Sequence, residues 1–189
     1  MNEFKIQDNE KMKIFNTIKF EDFARNEKRN IRKYIRDEYA KSYACNGLVE
    51  SEANMFDKFK LSPVAINSAN YTISVKDDCK VGYEMCLVQY ALSLIGDPSL
   101  LKVAPTGGCS ETYNCFMRDW CIVFETELPM NNEHFTEIAR NKFIKFCKYI
   151  ETQQIALNED VIRFNEALIG VIEEDSKLMK RQLEILYGK

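Results

Sequence analysis

The chain has 189 residues, of which 46% are hydrophobic and 29% charged, with a formal net charge of −3. That balance belongs to a globular protein able to bury a core, and its mild acidity opposes non-specific binding to DNA. A single histidine, and seven cysteines of which no two stand two to four residues apart, remove most routes to a proton-shuttling or zinc-binding centre.

Seven glycines and four prolines favour long regular elements, chiefly helices, over a loop-rich all-β fold. The odd cysteine count, with a first decapeptide that carries Asp8 and Glu10 and has no apolar core, reads as reduced thiols in the cytoplasm and no signal peptide. The longest mostly apolar run, 81–95, is short for a bilayer and is interrupted by Glu84 and Gln89, so no membrane partner is expected. Plentiful lysine, asparagine, isoleucine and phenylalanine follow the AT-rich coding of low-GC bacteria, their phages, large DNA viruses and protists.

In chain order, residues 11–20 alternate, with Met12, Ile14, Ile18 and Phe20 on one side, and read as a strand or an ordered arm. From 21 to about 45, Phe23, Ala24, Ile31, Tyr34 and Ile35 share one helical face, and Asn46-Gly47 supplies a left-handed stop. A short helix is expected over 50–59. Residues 61–66 and 71–75 read as a hairpin turning through 67–70, with Pro63 pushing the first strand to an edge. Residues 81–95 read as a buried helix stopped at Gly96-Asp97-Pro98, with one more turn over 100–103. The loosest stretch is 105–108, where a single domain 1–189 would subdivide into 1–104 and 109–189. A second hairpin is expected from 112–117 through Arg118-Asp119 into 120–128, with Trp120, Ile122 and Phe124 on one face and Glu125 and Glu127 on a wet one. Two helices then close the chain. The first starts near 131 and carries Phe135, Ile138, Phe143, Phe146 and Ile150; the second runs from an Asn158 N-cap towards 186.

The last helix bears a heptad seam of Val161, Phe164, Leu168, Val171, Asp175, Leu178, Gln182 and Ile185. Such a seam suits an antiparallel hairpin with the preceding helix, or an oligomer contact. Asp175 and Gln182 fall where a closed core would want hydrocarbon, and polar breaks of this kind specify a partner more than they stabilise.

The first helix carries the main charged feature. Arg25, Arg29, Arg32 and Arg36 recur every three or four residues and form one stripe opposite the apolar face, with Lys33 beside them and Tyr39 and Tyr43 extending the same side. Guanidinium groups in a row fit phosphates and nearby rings stack on bases, so nucleic acid is one reading. A solvated helix face or an acidic protein partner is the favoured one, since Glu21 with Arg25 and Asp37 with Lys41 make ordinary i, i+4 pairs.

Two weaker constellations remain. Cys109 follows Gly107-Gly108, where backbone amides would lower a thiol pKa, and His134 is its one available base, which together would suit a cysteine hydrolase. Asp77 and Asp78 with Glu125 and Glu127, beside Lys76, would hold a magnesium ion if their strands were neighbours. The sequence thus predicts an α+β, predominantly helical fold: a small antiparallel sheet of two hairpins packed by the central and the basic helices, ending in a long C-terminal helical hairpin. The expected function is a non-enzymatic interaction or assembly protein without cofactor or metal, acting through the heptad helix and the charged helix on a protein partner or a second copy, as phage or viral accessory components do. A nucleic-acid accessory protein using the arginine stripe is the alternative, ahead of a small cysteine- or metal-dependent hydrolase.

Overall fold

A computed structural model describes residues 9–45, 47–80, 83–108, 111–129 and 133–187. In chain order the elements are β1 (Met12–Ile14), β2 (Ile18–Lys19), α1 (Phe20–Ala44), α2 (Glu52–Phe59), β3 (Ala65–Lys80), β4 (Tyr83–Ile95), a 3-10 turn (Pro98–Lys102), β5 (Val103–Ala104), β6 (Tyr113–Arg118), β7 (Cys121–Pro129) and α3 (Phe135–Tyr187). The fold is α+β, with a five-stranded antiparallel sheet and a long C-terminal helix. The chain falls into two compact units, each made of two separate segments: unit 1 from Glu21–Ser62 and Glu159–Lys189, unit 2 from the described part of Asn2–Phe20 and Pro63–Asn158. Residues 105–108 lie inside unit 2.

Unit 2 is built on period-two alternation. Cys86, Val88, Tyr90, Leu92 and Leu94 of β4 are buried on one face. Ladder pairing puts Tyr90 opposite Phe124, Leu92 opposite Ile122 and Cys86 opposite Leu128 of β7, so that face is continuous across strands. The strand order is β1-β6-β7-β4-β3, which leaves β3 at an edge with Ile73 and Val75 exposed. The first part of α3 covers the apolar face with Ala139, Phe143, Phe146, Tyr149 and Ile150. Tyr90 stacks on Phe143 at 4.1 Å and Phe124 on Phe146 at 4.3 Å, and the Tyr149 hydroxyl donates to the Ile14 carbonyl at 2.9 Å. The opposite face of the sheet carries a transverse polar row. Buried Gln89 accepts from Ser74 at 3.3 Å and donates to Glu125 at 2.6 Å, and Lys11 lies 3.5 Å from the same carboxylate. Glu125 is therefore tied into the sheet, and Glu127 is exposed.

Several expectations are corrected here. Residues 83–95 form a strand, not a helix, because β4 lies inside the sheet with apolar residues on both faces and so reads as a near-continuous hydrophobic run. There are two hairpins, but the first joins β3 to β4. Residues 67–70 do not reverse the chain; they form an irregularity within β3, where the Asn67 side chain accepts from the amides of Ala69 and Asn70. In the second hairpin the turn is Asp119-Trp120, both at positive φ (49° and 59°) as a two-residue hairpin loop requires, which leaves Trp120 exposed at the tip and not in the strand face. The C-terminal helical hairpin is one uninterrupted helix, with neither glycine nor proline between Pro129 and Gly170 to stop it. Asn158 caps nothing. Its carboxamide accepts from Val64 N–H at 2.9 Å and donates to the Val64 carbonyl at 2.7 Å, while Gln154 accepts from Ile66 N–H at 3.0 Å. Finally, α1 belongs to unit 1; the covering of the sheet described above comes from α3.

Unit 1 is helical. Ile31, Ile35 and Tyr39 of α1, Met55 and Phe59 of α2, and Val161, Phe164, Leu168 and Ile172 of α3 are among its buried residues. Ser51 caps α2 through the Asn54 amide, and the Asn165 carboxamide holds Leu61 by its N–H and C=O, both at 2.9 Å.

Two substitutions within unit 2 test these constraints. Gly96 has φ of +102°, and a Cβ there would lie 2.0 Å from the Pro63 carbonyl oxygen. Gly96→Ala is expected to destabilise by at least about 2 kcal/mol in chemical denaturation, from backbone strain and the clash together. Asn158→Asp keeps the acceptor for Val64 N–H but turns the donor into a carboxylate facing a carbonyl, and a loss of roughly 2–3 kcal/mol is expected; an unchanged melting curve would contradict the bidentate role.

Candidate functional site

The two features that the sequence marks as outward-looking, the arginine stripe and the heptad seam, meet in unit 1. Arg32 and Arg36 of α1 line a recess of about 160 Å³ together with Asp175, Leu178, Met179 and Gln182 of α3. Arg32 donates from Nε to Asp175 Oδ2 at 3.1 Å. The first polar break in the seam is thus matched to the stripe. With Arg32 more than half exposed, the pair contributes on the order of 0.2–1 kcal/mol, and its value lies more in fixing register than in stability.

Beyond Leu168 the seam does not run where heptads place it. Val161, Phe164 and Leu168 are buried, but the buried line then passes to Ile172 and Ser176, whereas Val171 is half-buried, Leu178 is 51% exposed, Gln182 is exposed and Ile185 is 82% exposed. A straight helix at 3.6 residues per turn drifts about 20° per heptad from a 3.5-residue repeat, so over three heptads the core face slides off the predicted positions. The drift leaves Leu178 and Ile185 as apolar side chains on the surface.

The stripe itself is mixed. Arg25 pairs with Asp22 at 3.1 Å and Arg32 with Asp175, while Arg29, Lys33 and Arg36 are exposed and have no carboxylate partner among the described residues. The aromatic extension is corrected. Tyr39 is 3% exposed and belongs to the core side of α1, and Tyr43 is half-buried with its ring stacked on Tyr187 at 4.0 Å. Neither ring is presented beside the guanidinium groups. Tyr39, followed by Glu52, holds the Lys180 ammonium above its usual range, at the border of an open depression of about 430 Å³ whose walls include Tyr43, Val49 and Leu183.

Tyr34 pins α1 to the chain around α2. Its hydroxyl donates to Glu50 at 2.6 Å and accepts from Lys58 at 2.7 Å, and its ring meets Phe59 edge-on at 5.0 Å. The hydrogen bond to the Glu50 carboxylate raises the Tyr34 phenol above its usual pKa, with Lys58 acting against it. Sequence reading missed this network, since nothing in the spacing of Tyr34, Glu50 and Lys58 marks them as partners.

Of the catalytic constellations, Cys109 lies outside the described residues, and His134 is exposed, 3.7 Å from Glu137. The strands that carry these carboxylates are not neighbours: β4 runs between β3, which holds Asp77 and Asp78, and β7, which holds Glu125 and Glu127. No group of three or more histidine, cysteine, aspartate or glutamate residues placed to hold a metal occurs among the described residues. Within the described residues no helix is long and apolar enough to cross a membrane. No protein family, curated protein or solved structure matches the chain.

The thiols give a direct check on this chemistry. Burial pushes Cys115 up to about 12, and burial together with the Glu151 charge pushes Cys147 up to about 11, so almost no thiolate forms at either near neutrality. Cys45 is exposed. Alkylation of the native protein followed by peptide mass mapping is expected to mark Cys45 well before Cys115, and equal rates at the two would contradict the burial.

Proposed function

We propose that this chain is a non-enzymatic interaction or assembly protein whose working surface is the α1–α3 face of unit 1. One observation carries the reading: Arg32 and Arg36 of the stripe and Leu178 and Gln182 of the seam border one recess, with Arg36 lacking a carboxylate partner among the described residues and Leu178 half exposed. Unpaired guanidinium groups beside solvent-facing aliphatic side chains are the raw material of a binding patch, since both gain from an acidic, apolar counterpart. A recess of this volume accepts one large side chain, as a cavity of about 150 Å³ accepts a benzene ring. The free thiols Cys45, Cys86, Cys115, Cys121 and Cys147 suit a reducing, cytoplasmic setting. A part in a larger assembly, of the accessory kind that phages and viruses encode, accords with such a surface.

Nucleic-acid binding through the same stripe is the second reading, favoured by Arg29, Lys33 and Arg36, which have no carboxylate partner among the described residues. The position of Tyr39 and Tyr43 weakens it, because no ring is offered for stacking beside those cations.

Truncation after residue 158 would remove one of the two segments of unit 1, so point substitutions test the surface better. Sedimentation velocity over a concentration series is expected to show reversible association of the wild-type chain, weakened about tenfold by Leu178→Asp, a change of about 1.4 kcal/mol. A mass independent of concentration in both proteins would remove the self-assembly reading. Anisotropy with a labelled oligonucleotide decides the second reading: steep salt dependence that vanishes in Arg29→Glu with Lys33→Glu would replace assembly with nucleic-acid binding.

A further inference from the structure

Unit 1 carries a second recess of opposite character. It holds about 250 Å³ and is bordered by Glu52, Ala53 and Phe56 of α2 and by Ile169, Ile172 and Glu173 of α3. Along the same stretch of α3, Ile162 and Ile169 are 52% and 50% exposed, seven residues apart. Glu159, Glu166 and Glu173 recur at the same interval beside them, and all three are exposed. The result is an apolar line edged with carboxylates, whereas the recess at Leu178 and Met179 is bordered by two guanidinium groups, of which Arg32 is paired with Asp175 and Arg36 has no carboxylate partner among the described residues. The two sites differ in sign and resemble each other in build.

They also face different ways. Ile162 and Leu178 are sixteen residues apart on one helix, which at 3.6 residues per turn sets them about 160° apart around its axis. A contact that joins one to the other cannot therefore be a patch meeting itself across a two-fold axis. It is heterologous, and repeats head to tail into a ring or an open filament.

We infer that a second copy of this chain is the occupant: the carboxylate-edged flank of α3 in one molecule, with Ile162 and Ile169, docks on Arg29, Lys33, Arg36 and Leu178 of the next. This rests on the reading of the α1–α3 face as an interaction surface and names its partner. Charge complementarity selects the copy, because Arg29, Lys33 and Arg36, which lie within one heptad of α1 and have no carboxylate partner among the described residues, meet an exposed line of carboxylates on α3. The arrangement predicts association that weakens as salt rises, since exposed charges are screened within about 10 Å at 0.1 M ionic strength.

The test uses two full-length reversed proteins, one with K33E and R36E, the other with E166K and E173K. Each alone presents like charges at both sides of the contact and is expected to lose self-association by about tenfold or more, while an equimolar mixture regains it because each reversed side finds a reversed one and each native side a native one. The milder E166Q with E173Q should lie between wild type and reversal, and circular dichroism of all variants should match the wild type. Rescue on mixing, seen as recovered mass in sedimentation velocity, supports the inference. No rescue between two folded variants overturns it, as does a closed dimer that ends the series, or a wild type that stays monomeric at low salt. Association abolished by Leu178→Asp yet indifferent to E166K and E173K overturns this inference alone and leaves the surface reading standing.

Discussion

Backbone that leaves a sheet or a helix must find other hydrogen-bond partners, and here side-chain carboxamides on α3 supply them. In unit 2, Gln154 and Asn158 hold the chain at Ile66 and Val64 as it approaches β3; in unit 1, Asn165 holds Leu61. An amide side chain can donate and accept at once, so it stands in for one rung of a strand ladder without a strand being present. This is why α3 contains asparagine and glutamine at half-buried positions where a purely apolar helix would leave the neighbouring N–H and C=O groups unmet. It also fixes where β3 begins, and with it the close approach of Gly96 to Pro63.

The same logic of matched polar groups governs unit 1. Asp175 interrupts an apolar line, yet its carboxylate is met by Arg32 from α1, and Tyr34, two residues further along α1, joins Glu50 to Lys58. What is left over is informative. Arg29, Lys33 and Arg36 on one side, and the exposed isoleucine and glutamate positions of α3 on another, are the groups whose chemistry the unit does not consume among its described residues. Surface function is read here from the remainder after internal pairing, not from any single residue.

How much of this was legible follows from the range over which each interaction acts. The span of α1 was plain because its apolar residues share one face, although Asn46 of the expected stop lies outside the described residues and Gly47 is not left-handed, and the β6–β7 hairpin because alternation is local. The strand β4 was not, since Leu87 and Ala91 on one face and Val88, Tyr90 and Leu92 on the other erase the period-two pattern that distinguishes a strand. The turn chemistry of Asn67 was genuine but local, and could not say whether the chain reversed or merely kinked. Half of the candidate site was foreseen by type: the stripe and the seam were both singled out. That Arg32 meets Asp175 was not, because 143 residues separate them and no local rule reaches that far.

The interleaving of the two units has a consequence for how the chain reaches its fold. Unit 1 draws on segments separated by the 96 residues from Pro63 to Asn158, so bringing its ends together from a free coil costs roughly 4 kcal/mol of closure entropy, on the (3/2)RT ln n scaling. If those intervening residues have already condensed, the effective loop is far shorter and most of that cost disappears. The sheet should therefore act as the scaffold that forms early, with the helical unit completed only after the end of α3 has left the ribosome. Until then the apolar faces of α1 and α2 travel without their cover, and that interval is where this chain is most exposed to chaperones and to aggregation.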